Sequence, residues 1–149
     1  THPKVVCMER TNARYLTREQ IPEELDFFSV DVSFISLNLI LPAVCPLMKA
    51  GGQGVCLVKP QFEAGRDKVG KKGVVREKST HKEVLDNFVA LADELQFKIL
   101  GLTFSPVKGP EGNIEFLAHL TLDDADGIRP DTVLVVGSAH QTLDKGENS

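Results

Sequence analysis

Short apolar runs separated by polar stretches divide the chain into alternating elements. Residues 25–30, 54–58 and 97–104 are almost continuous in hydrophobic residues, which is typical of strands covered on both faces of a parallel sheet. Residues 5–8 predict a further short strand near the start of the chain, and residues 113–122 predict another near its end. The pattern therefore predicts a sheet as the centre of the fold.

Two other segments repeat apolar residues at intervals of three and four, which predicts helices. The first covers residues 37–49; it contains two prolines, which predict a kink, and a glycine pair follows it as a stop signal. The second lies behind Thr80 and Glu83, whose spacing is that of a capping box, and it presents an apolar face over residues 84–95.

The alternation of strands and helices predicts an α/β fold with a mainly parallel sheet. The last two strands are joined by residues 105–112, which show no helical pattern. Because a parallel crossover needs about a dozen residues or more, we expect an antiparallel last strand. Residues 1–122 form the predicted domain, and an acidic extension over residues 123–149 follows with a candidate short strand at 132–136.

Composition favours a globular protein of one domain. The chain has 149 residues, of which 42% are hydrophobic and 26% charged, and a net charge of −4. This charge excludes a uniformly basic nucleic-acid binder but allows a local basic surface. Three cysteines lie in separate apolar runs, which favours free thiols in a reducing compartment such as the cytoplasm.

Three charged residues stand where the predicted strands meet one edge of the sheet. Asp31 follows the strand at 25–30, and Lys59 follows the strand at 54–58. An antiparallel last strand begins at the edge where the parallel strands end, which brings Glu115 to the same place. Ligands bind at this edge in open α/β sheets. A single charge at a strand end is usually only solvated, but three together favour a functional site.

These residue types suit acid–base chemistry on a polar substrate without a metal. Pro60 holds Lys59 in an extended conformation and so fixes the direction in which it leaves the strand. Lysines in tuned sites are partly desolvated and lose a proton near neutral pH, so that the amine can take a proton from a hydroxyl. Asp31 and Glu115 would orient the lysine or stabilise developing charge.

A basic segment, residues 65–82, follows Lys59 closely. It contains seven basic and two acidic residues, together with three glycines. A solvated surface is the usual explanation of such a run. Contact with RNA phosphates is the alternative, because the segment lies beside the candidate site. The residues we expect at the phosphates are Arg66, Lys68, Lys71, Lys72 and Arg76.

Four runs around these residues resemble one family. Residues 30–37 read VDVSFISL, and residues 57–66 read LVKPQFEAGR. Residues 70–76 read GKKGVVR, and residues 105–116 read SPVKGPEGNIEF. In this order they resemble the haemolysin A (TlyA-type) proteins, which are similar to the FtsJ-type RNA 2′-O-methyltransferases. The resemblance extends from about residue 5 to residue 120.

The resemblance implies a Rossmann-like fold that uses S-adenosylmethionine to methylate ribose 2′-hydroxyls of ribosomal RNA. Related enzymes use a Lys-Asp-Lys-Glu set, and Asp31, Lys59 and Glu115 correspond to its last three members. The resemblance also places Asn12 and Asp31 at the cofactor. It implies that the first lysine, the first strands of the sheet and an S4-like RNA-binding domain lie upstream of Thr1, so we expect the isolated chain to be inactive.

Three alternatives belong to other classes. A non-catalytic RNA-binding module would keep the basic segment and leave the three charged residues without a role. A membrane-active haemolysin is opposed by the sequence, because the longest apolar stretch, residues 32–48, is too short and too interrupted to span a bilayer. A metal nuclease would use Asp31, Lys59 and Glu63, whose spacing matches no familiar motif.

The basic segment gives a first prediction. The substitutions Lys71→Glu and Lys72→Glu should weaken RNA binding and flatten the dependence of log affinity on log salt concentration, because fewer phosphate contacts release fewer counterions. Affinity for S-adenosylmethionine should barely change. An unchanged slope of log affinity against log salt concentration would show that the segment is only a solvated surface.

Overall fold

Strands and helices alternate along the part of the chain that the computed structural model describes, which is residues 25–31, 36–70, 73–123 and 127–144. The strands are β1 (Leu25–Val30), β2 (Met48–Val58), β3 (Lys98–Phe104) and β4 (Phe116–Thr121). The helices are α1 (Leu37–Val44), α2 (Pro60–Glu63), α3 (Lys78–Glu94) and α4 (Thr132–Leu143). The predicted strand at residues 5–8 and the candidate cofactor residue Asn12 lie outside the described residues.

The strands form one sheet in the order β1-β2-β4-β3. β1 pairs with β2 in parallel, and β4 pairs with both β2 and β3 in antiparallel fashion. β1, β2 and β3 therefore run in one direction and only the last strand runs in the other. This confirms the predicted α/β fold with an antiparallel last strand.

The register of the sheet defines one functional edge. Val30 pairs with Cys56 at the end of β1, and Val58 pairs with Phe116 where β2 ends and β4 begins. We call this edge, where β1 and β2 end and β4 begins, the rim. The residues that follow β1 and β2 and the residue that precedes β4 therefore emerge side by side.

One hydrophobic cluster connects the sheet to α1, α3 and α4. The apolar face predicted for the long helix is buried as expected, with Leu85 and Phe88 among its buried residues. On β4 the side chains of Phe116, Ala118 and Leu120 are buried on one face of the strand, as the period of two requires. Helix α3 thus packs over β4, the strand that begins at the rim.

The predicted capping box is wrong. α3 begins one turn earlier than expected, at Lys78, and Thr80 is a buried residue inside the helix. Glu83 does not reach back to the helix start; it accepts a hydrogen bond from Lys68, at 2.5 Å. A contact with a distant part of the chain has replaced the local one.

The first predicted helix is shorter than expected, and the strand after it is longer. α1 ends at Val44, a short 3₁₀ turn follows, and β2 begins at Met48. The glycine pair lies inside β2, where Gly51 has a φ of +78°. Between Leu25 and Phe27 of β1 the partner on β2 shifts from Met48 to Gln53. The glycines therefore form a bulge in the strand and do not stop a helix.

The candidate short strand at 132–136 is also wrong, because these residues belong to helix α4. Asp131 caps the helix by accepting a hydrogen bond from the backbone N–H of Leu134, at 3.1 Å. Thr132, Val136, Ala139 and His140 are buried, and their spacing places them on one helical face. The run of valines favours a strand locally, but burial against α3 stabilises a helix.

The contact between Gly54 on β2 and the Phe28 ring on β1 gives a stability prediction. A Cβ atom at this position would overlap the buried ring of Phe28 on β1. Gly54→Ala should therefore lower the free energy of unfolding by about 1–3 kcal/mol, measured by denaturant titration. Gly101→Ala on β3 is the matched control, because a Cβ there meets no atom within 4 Å. Equal effects of the two substitutions would show that the Phe28 ring does not limit the side chain at residue 54.

Candidate active site

An ion pair joins the first two strands at the rim. Lys59 Nζ lies 2.5 Å from Asp31 Oδ1. The lysine side chain is only 12% exposed, whereas that of Asp31 is 61% exposed. Lys59 has the extended conformation that Pro60 predicts. The structure therefore brings the two predicted residues together, with the ammonium largely covered and the carboxylate open to ligands.

Glu115 completes the predicted set from the third strand of the rim. Because Val58 pairs with Phe116, Lys59 and Glu115 are the next residues outward on neighbouring strands. Glu115 is buried, and its Oε2 accepts a hydrogen bond from Gln61 Nε2 at 2.9 Å. A buried carboxylate with a neutral donor beside it is a group whose position is fixed.

Gly109 provides the space that the Glu115 carboxylate occupies. A Cβ atom at residue 109 would overlap that carboxylate. The glycine is held in place by a hydrogen bond from its backbone N–H to the carbonyl of Asn113, at 2.7 Å. The turn in the 105–116 run therefore forms one wall around the acidic group.

Asn113 ties residues 73–75, within the basic segment, to the start of β4. Its side chain is 2% exposed; Oδ1 accepts from the N–H of Val75 at 2.9 Å, and Nδ2 donates to the carbonyl of Gly73 at 2.8 Å. Both polar ends of the amide are therefore satisfied by the backbone of one loop. The position of that loop relative to Glu115 depends on this residue.

Glu63, the third member of the metal-nuclease alternative, has a structural role. Its carboxylate accepts hydrogen bonds from Ser36 Oγ at 2.8 Å and from the N–H of Leu37 at 2.6 Å, so it covers the start of α1. Burial raises the pKa of Glu63, and the two hydrogen bonds oppose this effect. Within the described residues no group of three side chains could hold a metal ion.

The predicted RNA-contacting residues are only partly described. Lys68 Nζ contacts Glu83, and this hydrogen bond raises the lysine pKa. Arg66 begins a 3₁₀ turn, Arg66–Lys68. Arg76 is exposed. Lys71 and Lys72 lie outside the described residues. The Lys68 ammonium is therefore partly neutralised by α3, which reduces what it can offer a phosphate.

Two residues of the site were not selected from the sequence. Gln61 lies in the turn of α2 directly after Lys59, and Asn113 precedes Glu115 by two positions. Within the described part of the chain, Gln61 Oε1 is buried and has no hydrogen-bond partner. Their adjacency to the predicted residues is the signal that could have found them.

Comparison with known proteins identifies the family. Residues 1–122 match the FtsJ-like methyltransferase family. The chain belongs to this family. The rim brings together Asp31, Lys59 and Glu115, which the resemblance selected, and their catalytic role stays a prediction.

Three curated proteins illustrate the relationship. YqxC of Bacillus subtilis, provisionally named an rRNA methyltransferase, is 44% identical over 146 residues, which cover 94% of this chain and 52% of that protein. The Mycobacterium tuberculosis 16S/23S rRNA (cytidine-2′-O)-methyltransferase TlyA is 42% identical over 118 residues, 79% of this chain and 44% of that protein. Hemolysin A of Brachyspira hyodysenteriae is 38% identical over 120 residues, 80% of this chain and 50% of that protein. The chain therefore spans about half the length of these FtsJ-like relatives.

Solved structures share the fold. A provisionally named haemolysin of Streptococcus thermophilus superposes with a TM-score of 0.85 at 47% identity, covering 95% of this chain and 52% of that one. A second one, from Lactococcus lactis, gives a TM-score of 0.81 at 39% identity, covering 93% and 67%. Among the described residues, no helix has the length and hydropathy of a membrane span.

The buried Glu63 gives a prediction about pH. Because burial raises its pKa above the ordinary 4.5, the folded chain binds this proton more tightly than the unfolded chain. The associated stability is present below pH 4.5 and is lost as pH rises through the folded pKa. Glu63→Gln keeps an acceptor for Leu37 and removes the titration. Its stability relative to the unsubstituted protein should therefore increase as the pH rises above 4.5 and through the folded pKa of Glu63.

Denaturant titrations at several pH values test this prediction, with Glu94→Gln as the control because Glu94 is exposed at the end of α3. Parallel pH profiles for Glu63→Gln and the unsubstituted protein would contradict it. A relative loss of stability with rising pH would show that the hydrogen bonds from Ser36 and Leu37 outweigh burial.

Proposed function

We propose that the complete protein containing this chain transfers a methyl group from S-adenosylmethionine to a ribose 2′-hydroxyl of ribosomal RNA. The observation that carries the proposal is the rim of an FtsJ-like chain, where Lys59 is paired with Asp31 at 2.5 Å and is adjacent in register to Glu115. The name of the TlyA relative, a cytidine-2′-O-methyltransferase, supports the choice of the ribose hydroxyl. The proposed FtsJ-like domain covers residues 1–122, the range that matches the family.

The described residues fit one side of a cofactor site. Asp31 offers an exposed carboxylate at the end of a parallel strand, where α/β sheets bind cofactors, and one of its oxygens is held by Lys59. The other oxygen can accept hydrogen bonds from the amino or hydroxyl groups of S-adenosylmethionine. When bound, the cofactor supplies a methyl group on a positively charged sulfur. Asn12 remains a proposed second contact.

The chain's own residues would handle the proton of the ribose hydroxyl. Lys59 Nζ would accept that proton from the 2′-hydroxyl. The resulting ammonium is stabilised by Asp31, whose oxygen lies 2.5 Å away. Glu115, held by Gln61 and next to Lys59 in register, would help to orient the amine toward that hydroxyl. Much of the rate would come from this positioning of two substrates.

Ribosomal RNA as the substrate also favours the expected cytoplasmic location. Within the described residues Cys45 and Cys56 are free thiols. Burial raises the pKa of Cys56 to about 12, which leaves this thiol protonated and unreactive. Both features agree with a protein that works in a reducing compartment.

The proposed role of Lys59 can be tested in the complete protein. Lys59→Met should lower the rate of methyl transfer to ribosomal RNA by about 10²–10⁴-fold, because the proton acceptor is lost. Lys59→Arg keeps a positive charge beside Asp31 but cannot deprotonate, so we expect a similar loss. The assay follows labelled methyl groups from S-adenosylmethionine into RNA.

Lys98→Met is the matched control, because Lys98 is exposed at the start of β3, on the opposite edge of the sheet. Its methyl transfer should be unchanged. Normal turnover by Lys59→Met would contradict the proposed function. If Lys59→Arg keeps normal turnover and Lys59→Met does not, residue 59 acts through its positive charge and not as a base.

A further inference from the structure

A polar cavity lies beside the segment that leads into Glu115. It has a volume of about 290 Å³ and is bordered by the loop at 74–76, residues of the turn at 108–114, His81 of α3 and the end of α4. Apart from Arg76, a predicted RNA contact, the residues that line it have no role in the proposed reaction. Its polar lining includes Arg76, His81, Lys108, Glu111, His140 and Asp144.

Two histidines in the wall form a continuous hydrogen-bonded chain. His81 Nε2 lies 3.0 Å from the carbonyl oxygen of Val75, and His81 Nδ1 lies 2.7 Å from His140 Nε2. At the other end, His140 Nδ1 lies 2.9 Å from Asp144 Oδ2. The chain therefore runs from a backbone carbonyl through two imidazoles to a carboxylate.

A count of protons shows that this chain needs a positive charge. The carbonyl and the ionised carboxylate can only accept hydrogen bonds, so each of the three contacts requires a proton on a ring nitrogen. Two neutral imidazoles carry two protons in total. With both histidines neutral, one contact would place two acceptors face to face. The complete chain therefore requires one protonated imidazole.

His140 is the site of the extra proton. Burial lowers the pKa of His81 to about 4, so His81 is neutral and uses its one proton for the Val75 carbonyl. His140 must then donate from Nε2 to His81. Its Nδ1 faces Asp144 and carries a proton only when the ring is charged.

The charges around His140 hold this proton weakly while the cavity contains no anion. Burial lowers the pKa of His140, and Asp144 opposes the decrease. Lys78 at the start of α3 and Lys108 in the turn lower it further. Lys108 Nζ itself lies 3.1 Å from Asp144 Oδ1 and so competes for the same carboxylate. Any negative charge added to the cavity would shift His140 toward its protonated form.

The other charged groups on the cavity wall balance, with two basic and two acidic side chains. Arg76 and Lys108 are basic, and Glu111 and Asp144 are acidic. Protonation of His140 would therefore make the wall positive overall. Arginine and lysine donate hydrogen bonds to phosphate oxygens, whereas the His140 imidazolium, whose two N–H groups face His81 and Asp144, would add positive charge only.

We propose that this cavity binds a phosphate group of the RNA backbone and that His140 takes up a proton as it does so. The wall includes Gly112 and Ile114, which lead directly into Glu115. The phosphate would thus belong to the same RNA strand as the ribose at the rim. The choice of RNA as the source of the phosphate rests on the proposed function.

The first test measures RNA binding by the complete protein with Arg76→Ala. Arg76 is exposed, so this substitution leaves the core intact. We expect affinity to fall about tenfold and the slope of log affinity against log salt to decrease by about one. Arg129→Ala is the matched control; Arg129 is exposed in the loop that bonds to Ile99 at the start of β3, on the opposite edge of the sheet. Equal slopes for the two variants would overturn the proposal.

The second test measures proton uptake. Calorimetric titration of the protein with RNA near pH 7, in two buffers of different ionisation enthalpy, should show an uptake of up to about one proton. The uptake should disappear in His140→Asn, which keeps a donor for His81 but cannot titrate; thermal melting shows that the variant is folded. Uptake that is absent from the unsubstituted protein, or that persists in His140→Asn, would overturn the proposal.

Inorganic phosphate as a second titrant distinguishes the sources of the phosphate group. Competition between RNA and phosphate, with proton uptake for both, would support the proposal. Proton uptake with phosphate but not with bound RNA would overturn the assignment to RNA. Failure of the proposed function is seen separately, as unsubstituted protein that binds RNA in these titrations but transfers no methyl group to it.

Discussion

The placement of β4 between β2 and β3, antiparallel to both, is the constraint on which the site depends. A strand that runs against its neighbours begins where they end. This geometry lets a residue just before β4, Glu115, stand beside the lysine just after β2. A parallel last strand would have placed the carboxylate on the opposite edge. The chemistry at the rim is thus a consequence of strand direction.

Contacts from several neighbouring residues hold the charged side chains of the rim in position. Pro60 limits the backbone of Lys59, Gln61 holds the Glu115 carboxylate, and Gly109 leaves space for it. Asn113 connects this region to the loop at residues 73–75 of the basic segment. That loop also supplies the carbonyl for the histidine pair, so the rim and the polar cavity share one support. Such preorganised groups stabilise charge without rearranging during a reaction.

The sequence predicted the features that arise from local chemistry. Continuous apolar runs identified the four described strands, and the short connection before β4 predicted its direction. Strand ends and a proline were enough to select Asp31, Lys59 and Glu115. The family resemblance then connected these residues to methyl transfer, and the match over residues 1–122 confirmed the family.

The remaining features depend on partners far away in the chain. Gln61 and Glu115 are 54 positions apart, and Val75 and Asn113 are 38 positions apart, so no local pattern reveals either contact. The helix at 132–143 contains a run of valines, and only its buried face against α3 distinguishes it from a strand. The capping box failed for the same reason, because Glu83 contacts Lys68 and not the start of its own helix.

If the complete protein methylates ribose oxygens of ribosomal RNA, as we propose, the chemical identity of its product will show it. A 2′-O-methyl group blocks attack of that oxygen on the neighbouring phosphodiester bond, so the bond survives alkali. We predict that labelled methyl groups will be recovered in alkali-stable dinucleotides that yield a 2′-O-methylnucleoside. Recovery of the label on a base, or no transfer of label to RNA by the intact protein, would contradict the account.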